Sequence, residues 1–163
     1  MLIAIISDTH LPRGSRRLPE ECVQRLRDAD QILHAGDFTA LEVLDELRAL
    51  GPRVSAVHGN VDSDELVRLL PTRTELQIGG VRIGIVHDAG PAGGRLERLR
   101  ASFSDAQAVV FGHSHIPLHA HTAGFQIFNP GSPTDRRSQP EHTMGLARVN
   151  GSSISFEHVP LGP

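Results

Sequence analysis

The chain has 163 residues, a formal net charge of −3 and a single cysteine, Cys22. That length suits one domain, expected to span residues 1–163, with a core of its own, and a lone cysteine excludes a disulfide framework and a thiolate zinc site within the chain. All 16 basic residues are arginine, and the absence of lysine, tyrosine and tryptophan removes a lysine nucleophile, the usual phosphate-loop nucleotide site and most aromatic platforms for single-stranded nucleic acid.

Leu2 to Ser7 reads as a buried strand. The apolar run stops too early for a secretory signal or a membrane span, so the expected location is cytoplasmic with no membrane contact. Pro19 to Asp28 is a predicted helix with Val23 and Leu26 on one face, and Gln31 to Ala35 a second strand. Ala40 to Leu50 carries Leu41, Leu44 and Leu47 at helical spacing and is closed by Gly51-Pro52. Arg53 to His58 is a third strand; Ser63 is placed to cap a short helix over Asp64 to Leu70. Strands alternating with helices imply parallel pairing with helices packed outside.

The pattern then changes. Thr74 to Ile78 and Val81 to Val86 flank Gly79-Gly80 as a hairpin, Leu96 to Phe103 looks helical, and Gln107 to Phe111 is another buried strand. Short strands follow at Leu118 to His121, Phe125 to Phe128, Met144 to Asn150 and Ser153 to Val159, the last two joined by an Asn150-Gly151 turn. These elements describe an α/β fold of two packed sheets, one continuing into the C-terminal strands.

Five of the apolar runs end in metal-ligating residues. Asp8 and His10 follow the first strand, Asp37 follows Ala35-Gly36, Asn60 follows Gly59, His87 follows Val86, and His113 and His115 follow Phe111-Gly112. In extended chain, residues i and i+2 share a side, which would aim Asp8 with His10, and His113 with His115, at one ion. Singly, each has a bland reading: Asp8 as an acceptor for loop amides, Asp37 as a helix N-cap, Asn60 as a left-handed turn residue, His87 as a ring bonded to backbone. Together, donors of oxygen and imidazole nitrogen at five strand ends point to two divalent cations. Of the other histidines, His34 and His58 read as satisfied or supporting rings, while His119, His121, His142 and His158 are expected to face solvent. Arg13, Arg16, Arg17, Arg136 and Arg137 read as solvated loop residues.

The order Ser7-Asp8-Thr9-His10, His34-Ala35-Gly36-Asp37, Gly59-Asn60-Val61-Asp62, His87, Gly112-His113-Ser114-His115 and Asn129-Pro130-Gly131-Ser132 resembles the calcineurin-like metallophosphoesterase superfamily, in its small single-domain phosphodiesterase branch. The resemblance implies a four-layer αββα sandwich of two mixed sheets with helices on the outer faces. It also implies one metal on Asp8, His10, Asp37 and His115 and a second on Asp37, Asn60, His87 and His113, with Asp37 bridging. Manganese is the metal this resemblance favours; the mixed donors suit iron, zinc, cobalt or nickel as well. The implied activity is hydrolysis of small phosphodiesters by a hydroxide activated at the dinuclear centre.

Two positions depart from common relatives. Val61 stands where many carry a histidine that protonates the leaving oxygen, so no general acid is assigned, and Asp62 reads as a turn residue. Asp88 stands where glycine is frequent and reads as a turn cap. Extended nucleic acid is excluded as a partner by the acidic charge and the lack of a basic block. A phosphomonoesterase is an alternative, as is a non-catalytic protein-binding scaffold like the retromer subunit of this fold, whose metal site is degraded. Exposed strand edges near the C-terminus leave an oligomer open.

Overall fold

The alternation of Ile3 and Ile5 with Ala4 and Ile6 assigns each side of the first strand to a different core, and this division organises the computed structural model, which describes residues 1–163. In chain order the elements are β1 (Leu2–Ile6), α1 (Glu20–Asp28), β2 (Gln31–His34), α2 (Leu41–Ala49), β3 (Arg53–Ala56), α3 (Asp64–Leu69) and β4 (Arg73–Ile78). They continue as β5 (Val81–Val86), α4 (Arg95–Ser102), β6 (Ala108–Val110), β7 (Leu118–Thr122), β8 (Phe125–Asn129), β9 (Thr143–Asn150) and β10 (Ser153–Pro160). One sheet runs β10-β9-β1-β2-β3 and the other β4-β5-β6-β8-β7. β1, β2 and β3 are mutually parallel, as are β5, β6 and β8, and antiparallel strands complete each sheet.

Ile3, Ile5 and Leu33 meet Ile83, Ile85, Val110 and Phe128 between the sheets. On the outer face of the first sheet, Ala4, Ile6 and Ile32 pack under Cys22 and Leu26 of α1, Leu44 and Leu47 of α2, and Leu66 of α3. Val109, Phe111 and Ile127 face the other way, under Leu99 of α4 and Phe103. The result is the expected four-layer αββα sandwich. Full burial of each such aliphatic or aromatic side chain contributes about 1.5–3 kcal/mol, which is why a strand covered on both faces, such as β1, is a continuous apolar run.

Local signals hold with small shifts. Ser63 caps α3, its hydroxyl accepting from the Leu66 amide at 3.4 Å. The buried stripe of α1 is Cys22 and Leu26, four residues apart, with Val23 only half-buried. His119 and His121 are exposed as expected, but His142 and His158 are half-buried. His158 stacks on Phe128 with ring centroids 4.4 Å apart and donates from Nε2 to the Asn129 carbonyl at 2.7 Å. It lies where β10 of the first sheet meets β8 of the second, a long-range packing that alternation along one strand does not reveal. No helix is long and apolar enough to cross a membrane.

Candidate metal centre

Because β1, β2 and β3 are parallel, and likewise β5 and β6, the loops that leave them emerge on one edge of the sandwich. Backbone bonds then knit those loops together. The Asp8 amide donates to Gly36 at 2.9 Å, the His10 amide to Asp37 at 3.0 Å, and the Gly112 amide to His87 at 3.0 Å. Side chains of all seven expected residues are thereby brought to one place.

The local geometry differs from the expectation of extended pairs. Asp8, His10, Asp37, His113 and His115 have φ of 56°, 47°, 62°, 69° and 59°, all in the left-handed region that side chains rarely adopt. Asp8 and His10 converge because each turns the chain, not because alternate residues of a strand share a face. Such strained non-glycine positions concentrate at functional sites, where the surrounding structure overdetermines them.

Two overlapping groups result. His10 Nε2 lies 3.4 Å from Asp37 Oδ2 and 4.0 Å from Asp8 Oδ1, and His115 Nε2 lies 3.4 Å from Asp8 Oδ1. On the other side, His87 Nε2 is 3.3 Å from Asp37 Oδ2 and 3.0 Å from Asn60 Oδ1, which is itself 2.9 Å from His113 Nδ1. Asp37 therefore stands between the groups, at once near His10 and near His87.

Hydrogen bonds fix the protons of two rings. His87 Nδ1 donates to the Ala35 carbonyl at 2.7 Å and His115 Nδ1 donates to the Asp135 carbonyl. In each neutral ring Nε2 is then a lone pair, and it faces carboxylate oxygen. His10 Nε2 and His115 Nε2 are buried without any hydrogen-bond partner. Acceptors crowded against acceptors in a buried site are unfavourable unless a cation lies among them. The donors are oxygen and imidazole nitrogen with no thiolate, a set that suits divalent transition ions, and backbone partners on the far side of each ring are the usual device for orienting metal-bound histidine.

The electrostatics agree. Burial pushes the Asp37 carboxyl up, but the adjacent His10 and His87 rings and a hydrogen bond from the Val61 amide outweigh it and hold the group well below its ordinary range. Burial pushes His87 down, yet Asp37 and Asp8 prevail and raise it. Burial also raises Asp8 and lowers His115. Negative surroundings that favour a proton on a ring favour a cation in its place.

The supports were only partly visible in the sequence. Asn129 donates from Nδ2 to the Gly112 carbonyl at 2.9 Å, Ser132 Oγ donates to the Asp8 carbonyl at 2.8 Å and Thr134 Oγ1 to the Thr9 carbonyl at 2.6 Å. The Asn129-Pro130-Gly131-Ser132 turn thus holds the first and last ligand loops, as expected of a supporting element. His34 is a satisfied core ring: it accepts from the Gly36 amide at Nδ1, 3.1 Å, lies 3.2 Å from Thr9 Oγ1 through Nε2, and stacks on Phe38. Asp88 caps its turn through the Gly90 amide at 2.7 Å. Gly59 and Gly112 are required by close approach, since a Cβ would overlap the Asp37 carboxylate at one and Ser7 Oγ at the other.

Asp135 had no local signal. Its carboxylate binds Arg16 at 3.3 Å and lies 4.0 Å from His10 Nδ1, while its carbonyl orients His115. Arg16 is therefore paired instead of solvated, and Arg136 bonds the Gln139 carbonyl at 2.6 Å.

Over residues 1–152 the chain matches the family model of the calcineurin-like phosphoesterase superfamily domain. The chain belongs to that superfamily. A probable metallophosphoesterase of Methanothermobacter thermautotrophicus is 34% identical to it over 164 residues, covering 99% of this chain and 94% of that protein. Another from Methanocaldococcus jannaschii is 36% identical over 150 residues, 90% of this chain and 76% of the relative. Among solved structures, wild-type Vps29 of Entamoeba histolytica complexed with Zn²⁺ aligns with a TM-score of 0.79 and 27% identity, covering 99% of this chain and 100% of that one. Within the fold, ligand atoms of Asp8, His10 and His115, and of Asp8, Asp37 and His87, lie within 4.8 Å of one another, close enough to hold a metal ion.

Proposed function

We propose that this calcineurin-like protein is a metal-dependent phosphodiesterase acting on small phosphodiesters, its whole chain working as one cytoplasmic domain. Asp8, His10, Asp37 and His115 would hold one divalent ion and Asp37, Asn60, His87 and His113 the other, manganese being the first candidate. The observation that carries the reading is the His115 ring. Its one proton is spent on the Asp135 carbonyl, so a bare Nε2 faces the Asp8 carboxylate at 3.4 Å, an arrangement that a shared cation makes favourable.

Two divalent ions, when bound, polarise phosphoryl oxygens and bring the pKa of water toward neutrality. The chain's own part is to hold Asp37 ionised between the two groups and to keep the His87 and His115 rings fixed by the Ala35 and Asp135 carbonyls, with Nε2 of each turned into the site. Val61 offers no proton to a leaving group, and both Asp62 oxygens accept from backbone amides. Turnover is therefore expected to fall steeply as the leaving phenol becomes less acidic. A series of aryl phosphodiesters that react at equal rates would contradict this.

The likeness to Vps29 raises a second reading, a protein-binding scaffold. A docking surface has no use for Asp8 and His115 buried as donors, which favours the hydrolase. The test is metal-stripped protein assayed on bis(4-nitrophenyl) phosphate and 4-nitrophenyl phosphate, with manganese, zinc, cobalt, nickel or iron returned singly. Metal-dependent turnover with the diester preferred is expected. Binding of metal without turnover of either ester would overturn the enzyme reading in favour of the scaffold, and preference for the monoester would make it a phosphomonoesterase.

A further inference from the structure

Two hollows open side by side next to the metal centre. One, of about 310 Å³, is walled by Asn60 and His87 and by Arg73, Val86 and Asp88. The other, of about 300 Å³, shares Arg73, Val86 and Asp88 and reaches Phe103 just after α4. Through those common walls they make one trough leading away from the donor residues, and the surface that lines it is mostly carbon. A larger cavity of about 730 Å³, between the loop after His10 and helices α1 and α2, has none of the seven donor residues in its walls. We propose that the trough receives one ester arm of the phosphodiester, and that this arm is a planar aromatic group laid against the open face of Arg73. This rests on the phosphodiesterase reading above and adds to it the class of substrate.

Strand register sets Arg73 beside the centre. β4 and β5 pair with Arg73 opposite Val86, the residue before His87, so the arginine stands at the same end of the sheet as the donor ring. Phe103 reaches it because position 84 is glycine: a Cβ there would overlap the Phe103 ring. The guanidinium carbon of Arg73 sits 4.0 Å over that ring. Phe103 thereby covers one face of the guanidinium, while the side chain is 49% exposed and its other face is bare. Nη2 donates to the Ser102 carbonyl at 2.7 Å, which holds the group in place.

A planar cation already stacked on one ring can stack on a second. The guanidinium attracts an aromatic face electrostatically and, being weakly hydrated, loses little solvation on contact. The carbon-lined walls add the burial of apolar area, which an aromatic arm brings with it. An anionic arm gains little here, because Glu75 lies 3.7 Å from the Arg73 guanidinium and Asp88 stands in the wall of both hollows. In the reaction, water gives hydroxide to phosphorus and a proton to the departing oxygen as the phosphorus–oxygen bond to the other arm breaks. The aromatic arm remains on phosphorus as a phosphate monoester.

The test uses diesters that share a 4-nitrophenyl leaving group and carry benzyl, cyclohexylmethyl or methyl as the second arm, on manganese-loaded protein. Benzyl and cyclohexylmethyl match in size and apolarity and differ in planarity. Wild type should favour both over methyl by about tenfold in kcat/KM, as burial of a ring-sized apolar group predicts. It should favour benzyl over cyclohexylmethyl by about threefold, the range of one cation–π contact at an exposed site. Arg73→Met keeps an unbranched chain without the plane, and should bring benzyl and cyclohexylmethyl to parity while both stay above methyl. Calorimetric titration with the product monoesters, benzyl phosphate and cyclohexylmethyl phosphate, reads the same difference in Kd without turnover, and the same loss in the variant. Ratios within one variant cancel any shared loss from folding or metal binding. Equal rates on the benzyl and cyclohexylmethyl esters in wild type, or a benzyl preference that survives Arg73→Met, overturns the aromatic assignment alone. Wild type that binds metal and hydrolyses none of these esters overturns the phosphodiesterase reading and the subsite with it.

Discussion

The carboxylate of Asp62 accepts the backbone amide of Asp37 at 3.1 Å, with the amide of Gly59 on the same oxygen at 2.7 Å and that of Thr39 on the other at 2.8 Å. One side chain thus joins the loop that carries Asp37 to the loop that carries Asn60. It braces the two loops. Asp62→Ala would leave three amides without that acceptor and is expected to lower stability by about 2–3 kcal/mol in urea unfolding, with weaker metal binding. If the role is bracing, excess metal should restore much of kcat. Full loss of kcat at saturating metal, in a folded variant, would show a direct part in chemistry.

Metal should stabilise the folded chain, because the donor atoms meet only in the native state. An ion at one hundred times its dissociation constant contributes about 2.7 kcal/mol, or roughly 5–10 °C in thermal midpoint at this chain length. His115→Ala removes a ring whose Nε2 is otherwise buried without a partner, and should cut that shift to less than half. Calorimetry with and without manganese checks this. A full shift in His115→Ala would remove the ring from the donor set.

Acid should weaken the fold well above the carboxylate range. Full burial pushes His34 down to about 3 from an ordinary 6.5, with the Nδ1 lone pair held by the Gly36 amide. The folded state resists the proton and the unfolded state takes it. The contribution of His34 is therefore complete above 6.5 and is lost as pH falls from there toward 3. Unfolding free energy of metal-free protein should fall by about 1.4 kcal/mol per pH unit from this group in the middle of the window. His34→Gln should flatten that slope; an equal slope in the variant would assign the acid sensitivity elsewhere.

Backbone strain at the donors is also measurable. His113 is exposed and has φ 69°, so glycine relieves its backbone while alanine does not. In metal-free protein, His113→Gly should be more stable than His113→Ala by about 1 kcal/mol, and both should lose turnover. Equal stabilities would mean that the left-handed turn is not strained.

Arg137 is exposed two residues beyond Asp135, and its positive charge acts on both Asp135 and His115. Arg137→Gln should lower kcat/KM for an anionic ester several-fold at low ionic strength. The difference should shrink in salt as screening grows. A salt-independent difference would point to a contact instead of a field.

The sequence by itself determined the strands, most helix boundaries, the two packed sheets and which polar residues stand at their strand ends. Burial on both faces forces continuous apolar runs, and the chemistry of a metal centre restricts which residues end them. It could not determine how those residues meet. The left-handed turns at Asp8 and His10, the bracing by Asp62 and the inward stacking of His158 on Phe128 depend on groups far away in the chain. The clearest case is His115, whose proton is fixed by the carbonyl of Asp135. Every residue carries that carbonyl, so only the folded arrangement of loops could select it.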